Sequence, residues 1–295
     1  MQWKFLQESY VAVENNEPLG LISLVPDGST KTRWKINRLV LAANAYDIGK
    51  QLIDYVVNKY GGDGVEIFLT VIDENAPDAI ALFKKECFFR QYSKLNIWEL
   101  EGTVSAGEAP DLLREAVPAD AEKLFELDTS AIVPHLRASF TKKAEDFRFD
   151  LPKKLADTFK GYKACRYVLD NPENNTIEGL LSILTADRKH YWIDITLSLA
   201  YKQYYETLLS HAIRKIKSSI PDARMYIGTK DYHQVSGYMT EVLTEHKFRQ
   251  CGSFQILVKD YWKPAKEYQE NKVQSMIFSD ITSPACNITR FISES

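Results

Sequence analysis

The sequence predicts a mixed α/β (α+β) fold built twice in tandem, and three observations support this. Amphipathic helical patterns alternate with apolar strand patterns over most of the 295 residues. GLIS at residues 20–23 recurs as GLLS at residues 179–182, and FRQ at residues 89–91 recurs at the same separation. A small, polar and acidic stretch, EGTVSAGEAPDL, interrupts the pattern between the copies. We therefore predict an N-terminal domain (1–100), a linker (101–112), a C-terminal domain (113–262) and a tail (263–295).

The first half begins with a predicted hairpin, YVAVENNEPLGLISLVPDG, in which two alternating apolar runs flank the turn signal ENNEPLG. The strand RWKINRLVLA follows, then a helix with Leu52 and Val56 on its apolar face, ended by Gly61 and Gly62. GVEIFLTVI is a nearly continuous apolar strand, a pattern typical of burial on both faces. NAPDAIALFKKECF predicts a second helix with Pro77 in its first turn. FRQYSKLNIWEL closes this half as a strand.

The second half opens with REAVPADAEKLFELD, which predicts an amphipathic helix entered through Pro118 and Asp120. A long, polar-rich helical region is expected from there to about Gly161. From Cys165 the first half is repeated. YWIDITLSLAYKQYYETLLSHAIRKI repeats the strand, loop and helix, and ARMYIGT repeats the buried strand.

Composition excludes several functional classes. The formal net charge is −3 without a basic block, which argues against nucleic acid as a partner. No apolar run is long enough to span a membrane, and MQWKFLQESY lacks the apolar core of a signal peptide, so we expect a cytoplasmic protein. The four cysteines are scattered without a CxxC pair, which predicts neither a metal site nor a disulfide framework.

The order hairpin, strand, loop, helix, strand, helix, strand resembles the GNAT superfamily of acetyl-CoA-dependent N-acetyltransferases. REAVPADAEKLFELD is similar to the family's opening strand and first helix, and GLISL and GLLSIL stand in the third-strand position. NAPDAIALFKKECF is similar to the family's N-x-x-A-x-x-L-Y-x-K-x-G-F helix, with one extra residue after Asn75. The resemblance covers nearly all of both halves. It implies, in each half, a largely antiparallel sheet with a splayed parallel strand pair flanked by helices.

The resemblance also implies an acetyl-CoA site in the first half. In the family, the pantetheine arm lies between the splayed strands, and backbone N–H groups at a helix N-terminus bind the pyrophosphate. The family motif R/Q-x-x-G-x-G/A matches Asn44, Asp47 and Gly49. The predicted cofactor-binding residues are Leu39, Val40, Leu41, Asn44, Ala45, Tyr46, Asp47, Ile48, Gly49, Lys50 and Asn75.

Asp47 is an unusual residue for this motif. A carboxylate at about 4 Å from a pyrophosphate would be repelled by on the order of several kcal/mol at a surface-like dielectric. Alternatively, Asp47 caps the helix through the amides of Ile48, Gly49 and Lys50, with Lys50 restoring positive charge.

The second copy departs further from the motif. Ala200, Gln203 and Tyr205 stand at the matching positions, and LAYKQYYETLL contains no glycine. A strand–helix connection kept for packing is the favoured interpretation there.

The catalytic residues stay unassigned. The family often uses a tyrosine as general acid, but this position holds Phe83 in the first half, and the neighbourhood of Val242 in the second also lacks a phenol. Asp194 is either a candidate base or an ordinary polar-face aspartate, the preferred alternative. Its first-half counterpart, Arg38, suits an anion better than a cationic amine. The lone histidines His190 and His233 could titrate near neutrality, but a structural role is favoured.

Two functions from different classes follow. The first is an acetyl-CoA-dependent N-acetyltransferase acting on a small amine or peptide amine, and the alternative is a catalytically inactive GNAT-fold binding or scaffold protein. A partner-binding role of the tail and a homo-oligomer are left open. Only the second half has the strand and helices that precede the hairpin in the family, so we expect the two halves to form one composite molecule.

Overall fold

Strands and helices follow the same order in both halves of the chain. The computed structural model describes residues 7–29, 32–43, 45–100, 113–148, 163–261 and 287–291. The first half, up to residue 100, contains β1 (Glu8–Glu14), β2 (Glu17–Pro26), β3 (Arg33–Leu41), α1 (Tyr46–Gly62), β4 (Ile67–Asp73), α2 (Pro77–Ala81) and β5 (Arg90–Glu99). A π-helical turn, Leu82–Glu86, directly continues α2.

The second half, from residue 113, adds a short strand and two helices before it repeats this order. Its elements are β6 (Leu113–Glu115), α3 (Ala121–Ala131), α4 (Arg137–Phe140), β7 (Lys163–Asn171), β8 (Thr176–Thr185), β9 (His190–Leu197), α5 (Tyr205–Lys217), β10 (Arg224–Lys230), α6 (Ser236–Glu245) and β11 (Arg249–Asp260). The long helical region expected up to Gly161 is wrong for its described part, because only α4 and short 3-10 turns lie between α3 and residue 148. Residues 149–162 lie outside the described residues, as do the predicted linker and Asn44.

Together with β12 (Asn287–Phe291), the strands of the described residues join one 12-stranded sheet in the order β12-β1-β2-β3-β4-β11-β5-β10-β9-β8-β7-β6. The two halves exchange their last strands within it. β11 of the second half lies antiparallel between β4 and β5 of the first half, and β5 pairs on its other side with β10. Within the predicted tail, Asn287–Phe291 forms β12 along the free edge of β1. No helix in the described ranges is long and apolar enough to cross a membrane.

Helix α1 of the first half and helix α5 of the second half each pack on the sheet against a strand glycine. A Cβ built on Gly20 would lie 3.0 Å from side-chain atoms of Leu41 and Leu52. A Cβ on Gly179 would lie 2.8 Å from Leu197 and 3.6 Å from Leu208. Gly20 and Gly179 belong to the repeated GLIS and GLLS, so the internal repeat is also a repeat of packing. When the two halves are aligned on these contacts, Gly49 of α1 corresponds to Tyr205 of α5.

The second half covers the face of the first-half sheet that α1 leaves free. On β4, Phe68 and Ile72 join the core under α1, whereas Leu69 packs on the opposite face with Ile132 and Phe140. This two-sided burial accounts for the continuous apolar strand in the sequence.

Hydrogen bonds fix the covering segment in place. Arg33 at the start of β3 donates from Nη1 to the carbonyls of Ser139 and Thr141, each at 2.9 Å. The backbone N–H of Ser29 donates to Asp146 Oδ1 at 2.6 Å. The second half therefore supplies the layer that covers this face of the first-half sheet.

Two equivalent turns hold a non-glycine residue in the left-handed backbone conformation. Phe88 and Lys247 each have φ 58° and precede the buried Phe89 and Phe248 of the repeated FRQ segments. The side chain of Phe88 is 73% exposed, so it contributes little packing that could offset the backbone strain.

Phe88→Gly is therefore expected to raise the free energy of unfolding by about 0.5–1 kcal/mol, because glycine adopts positive φ without a steric penalty. This net gain already includes the larger conformational entropy that glycine loses on folding. Urea denaturation measures the change, and Lys247→Gly should behave alike. Phe88→Ala is the matched control, since it removes the ring but keeps the strain. If Phe88→Gly is no more stable than Phe88→Ala, backbone strain is not the cause.

Candidate functional site

A cleft opens where the parallel strands β3 and β4 part. Their pairing ends at Ile36–Thr70, although β3 continues to Leu41 and β4 to Asp73. We call this space the first cleft. It contains a cavity of about 380 Å³ lined by Ile36, Asn37, Arg38, Leu39, Leu41, Tyr46, Thr70, Val71, Ile72, Asp73, Asp78, Ala79, Leu82 and Phe83. This volume is in the range of small-molecule sites, roughly 300–1,000 Å³.

The structure brings three predicted cofactor-binding residues together in this cavity, namely Leu39, Leu41 and Tyr46. Val40 alternates away from it and is 55% exposed. The amide of Asn75 and its backbone N–H both donate to Asp73 Oδ1, at 3.0 and 2.9 Å, so Asn75 holds a residue of the cavity wall without itself lining the cavity.

Of the remaining predicted residues, Ala45, Asp47, Ile48, Gly49 and Lys50 lie at the start of α1, and Asn44 lies outside the described residues. Ala45 is the N-cap residue, and the helix begins at Tyr46. By helix geometry, the N–H groups of the first turn, from Tyr46 to Ile48, have no carbonyl partner inside the helix. These groups and the positive end of the helix dipole form a potential anion-binding end of the first cleft.

Gly49 has a packing role that the motif did not suggest. It lies inside α1 rather than in the preceding loop, and its N–H already donates to Ala45 O at 3.2 Å. A Cβ at this position would lie 2.7 Å from a Leu41 methyl group and 2.9 Å from a Leu82 methyl group. Glycine is therefore required for the close approach of α1 to these two walls of the cavity.

Two expectations about charge in this loop are wrong. Asp47 does not cap the helix, since no side-chain capping hydrogen bond is present at the start of α1, and its carboxylate is exposed in the first turn. Lys50 does not offer a free charge, because its ammonium lies 2.6 Å from Asp54 Oδ2 one turn later. This ion pair raises the pKa of Lys50, mainly through its hydrogen bond to Asp54.

Sequence reasoning missed much of the cavity wall, including Asn37, Thr70, Asp73 and Asp78. The signal was available in part. Parallel strands place ligands at their carboxyl ends, and Asp73 ends the apolar strand β4. Asn37 is the extra residue of a bulge, since Leu24 pairs with Ile36 and Ser23 with Arg38. Only the register of the sheet reveals it.

The cavity supplies a phenol close to where the family's tyrosine is missing. Phe83 lines the wall and is buried, and Tyr46 lines the same cavity. Partial burial and then the acidic Glu86 raise the pKa of the Tyr46 phenol, which therefore stays protonated at neutral pH.

The second cleft, between β9 and β10 beyond Ile193–Ile227, is closed by side chains. Lys230 Nζ on β10 lies 2.9 Å from Oδ1 and 3.1 Å from Oδ2 of Asp194 on β9, which ties the two parting strands together. Tyr205, the counterpart of Gly49, is fully buried in the adjoining core.

The ionisation of this cluster disfavours a basic role for Asp194. Burial opposes the charge of Asp194, but Lys230 and Lys142 outweigh it and leave its pKa below the usual carboxyl range. Burial, and then Lys230, lowers the pKa of His233 to about 3, so this histidine is neutral at physiological pH, which excludes the alternative of titration near neutrality and agrees with the favoured structural role. A carboxylate held as one half of an ion pair is a poor proton acceptor.

The hydroxyl of Tyr205 has no hydrogen-bond partner among the described residues. Tyr205→Phe is therefore expected to raise the free energy of unfolding by about 1 kcal/mol, because a buried unpaired hydroxyl is costly. Tyr60→Phe is the matched control and should lower it by about 1–2 kcal/mol, since Tyr60 bonds to Tyr10 Oη at 2.6 Å and Glu8 Oε2 at 2.7 Å. Thermal denaturation of both variants measures the contrast. A destabilised Tyr205→Phe would show that the hydroxyl is satisfied in solution.

No group of three or more histidine, cysteine or acidic side chains suited to a metal ion occurs in the part of the chain that the structure describes. Neither a protein-family model nor a curated protein sequence matches this chain.

Solved structures do resemble it. A tandem GNAT protein from the clavulanic acid biosynthesis pathway is 11% identical, with a TM-score of 0.59 over 90% of this chain and 86% of its own. A GCN5-related N-acetyltransferase from Sphaerobacter thermophilus is 11% identical, with a TM-score of 0.58 over 88% and 82%. Another from Kribbella flavida is 10% identical, with a TM-score of 0.52 over 88% and 91%. At these identities the similarity is one of fold.

Proposed function

We propose, from the premise that this chain has the tandem GNAT fold, that its first half binds acetyl-CoA in the first cleft and acetylates a small amine or a peptide amine. The observation that carries the proposal is the parting of β3 and β4 beyond Ile36–Thr70, with a cavity of about 380 Å³ that reaches Tyr46 at the start of α1. The division into domains at 1–100 and 113–262 belongs to the same proposal. The second half supplies the covering layer.

The residues present fit this cofactor with one exception. The apolar walls, which include Leu39, Leu41 and Leu82, suit a pantetheine arm, and the first-turn N–H groups of α1 suit a pyrophosphate. The exception is the exposed carboxylate of Asp47 in that same turn. Because Asp47 is exposed and makes no capping bond, it can turn toward solvent, where screening weakens its repulsion of phosphate.

When bound, acetyl-CoA supplies the acetyl group as a thioester, so that a C–N bond to the amine replaces the C–S bond and one proton passes from nitrogen to sulfur. Asn37, outside the β2–β3 pairing and in the cavity wall, is available to polarise the acetyl carbonyl. The protonated phenol of Tyr46 is available as the proton donor that Phe83 cannot be.

The test is a thermal-shift titration with acetyl-CoA up to millimolar concentration. Ligand at ten times its dissociation constant should stabilise the chain by about 1.4 kcal/mol. Asp47→Asn should tighten binding about three- to tenfold, since it removes a negative charge from the anion-binding end. The matched control is Asp63→Asn, which removes a charge just beyond the other end of α1. Absence of any shift for both the natural chain and Asp47→Asn would overturn the proposal.

A non-catalytic binding protein is the second candidate, and one observation favours it. The Lys230–Asp194 pair bridges the second cleft, and this supports a fold that keeps its parted strands without binding a ligand between them. The two candidates differ in turnover. A binding protein stabilised by acetyl-CoA would release no free CoA thiol in the presence of amines, whereas an acetyltransferase would.

A further inference from the structure

Each cleft carries one cationic and one acidic side chain, at equivalent positions of the two halves. The strand that carries the cation in one half carries the aspartate in the other. Arg38 on β3 pairs with Ser23 of β2, and Asp194 on β9 pairs with Ser182 of β8, where the serines are those of GLIS and GLLS. Both residues therefore hold the same place in their halves.

The facing strands are matched in the same way. Asp73 on β4 lies opposite Phe254 of β11, and Lys230 on β10 lies opposite Leu95 of β5, with Leu95 and Phe254 equally far beyond the repeated FRQ. Each cleft thus has a cationic residue on one strand and an aspartate on the other, just beyond the point where the strands part.

In the second cleft the two charges satisfy each other, with Lys230 Nζ at 2.9 Å from Asp194 Oδ1. In the first cleft they do not meet. Arg38 is exposed and makes no ion pair or hydrogen bond with any described residue, whereas Asp73 Oδ1 accepts only from Asn75. Both nevertheless line the same cavity. The first cleft therefore presents a guanidinium and a carboxylate that are both available to a bound molecule.

We propose that the first cleft binds a zwitterion, an amine that also carries a carboxylate, with the carboxylate on Arg38 and the ammonium on Asp73. A planar guanidinium binds a carboxylate through paired charge-assisted hydrogen bonds, and an aspartate binds an ammonium in the same way. A ligand with only one charge would leave the other side of the cleft unpaired. The inference deepens the proposed function by naming an amino acid as the amine that is acetylated.

The experiment measures binding of glycine, β-alanine and 4-aminobutyrate by isothermal titration calorimetry, without acetyl-CoA. The singly charged counterparts of β-alanine are propionate and β-alaninamide. We expect at least one zwitterion to bind about tenfold or more tightly than either singly charged compound. Arg38→Gln and Asp73→Asn should each weaken it about tenfold or more, whereas Lys85→Gln, an exposed charge outside the cavity, should leave it unchanged.

A charge-swapped variant gives a second readout. Arg38→Asp combined with Asp73→Lys reproduces the second-half arrangement, so it is expected to form the ion pair, raise the melting temperature and lose zwitterion binding. The proposal is overturned if none of the three zwitterions binds, if propionate or β-alaninamide binds equally well, or if Arg38→Gln has no effect on the zwitterion. It is also overturned if Arg38→Gln weakens acetyl-CoA or succinyl-CoA instead, since the arginine then serves the acyl donor.

The outcome separates this inference from the proposed function. Zwitterion binding that depends on Arg38 in a chain that acetyl-CoA does not stabilise supports the inference and rejects the acetyltransferase. Stabilisation by acetyl-CoA without zwitterion binding supports the acetyltransferase and rejects the inference.

Discussion

Replacing Arg33 by methionine is expected to lower the free energy of unfolding by about 3–4 kcal/mol. The guanidinium is buried, with 4% of the residue exposed, and it bonds to the Asp27 carboxylate as well as to the carbonyls of Ser139 and Thr141. Methionine fills much of the volume but leaves a carboxylate and two carbonyls without a donor. Removing one partner of such a buried network costs several kcal/mol.

Because the chain has five tryptophans, urea denaturation is followed in two backgrounds, one that keeps only Trp34 and one that keeps only Trp192, each with phenylalanine at the other tryptophan positions. Because Arg33 lies in one half and its carbonyl partners in the other, we expect both probes to shift together and to keep a single transition. Lys35→Met is the matched control, a half-buried cation on the same face of β3, and should cost less than about 1 kcal/mol. Equal losses for Arg33→Met and Lys35→Met would contradict the assigned network.

Replacing Lys230 by methionine is expected to cost about 2–3 kcal/mol at pH 7. The side chains of Lys230 and Asp194 are only 20% and 29% exposed, so the variant leaves a largely buried carboxylate with a weakened counter-charge. The effect is smaller than for a fully buried pair because water still reaches both groups and Lys142 remains nearby.

The pH dependence tests the cause. In the natural chain the pKa of Asp194 is lowered, so the stability from this group is present above the usual carboxyl range and is lost as the pH falls through the lowered value. Without Lys230, only Lys142 is left to offset the burial that opposes the charge of Asp194, so protonation of this carboxyl at low pH relieves more of the unpaired charge than in the natural chain. The deficit of Lys230→Met should therefore be smaller at pH 4 than at pH 7. A double variant, Lys230→Met with Asp194→Leu, should recover most of the loss. A deficit of equal size at both pH values would mean that lost packing, not charge, is responsible.

Local sequence pattern predicted most of the strands and helices, except for the long helical region after α3, but it did not predict which strands pair with each other. The hairpin of β1 and β2, the helix α1 and the doubly buried strand β4 follow from spacing and turn residues that act within a few positions. The exchange of β5 and β11 could not be predicted, because both strands begin within the same FRQ segment at the same place in the order of elements. Which strand lies beside β4 is decided by contacts between distant parts of the chain.

The candidate site divides in the same way. Leu39, Leu41 and Tyr46 were reached through the resemblance, since they adjoin the motif in sequence. The placement of Arg38 and Asp73 in the same cavity wall was not, because they lie on different strands and the Asn37 bulge shifts the alignment by one residue. The Asp47 cap failed because Ala45 takes the N-cap position, which leaves Asp47 two residues beyond it, inside the first turn of the helix.

The position of β11 has a consequence for synthesis on the ribosome. When residues 1–100 emerge, β4 still lacks the neighbour that will pair with it, because Leu257 must be translated before it can lie beside Thr70. Until β11 is synthesised, the nascent N-terminal half lacks the native neighbour of β4, and unpaired strand edges of this kind promote aggregation or chaperone binding. For the same reason, deleting either half from the gene would leave the sheet of the other half without one of its strands. We therefore expect the first cleft and the second cleft to be inherited together.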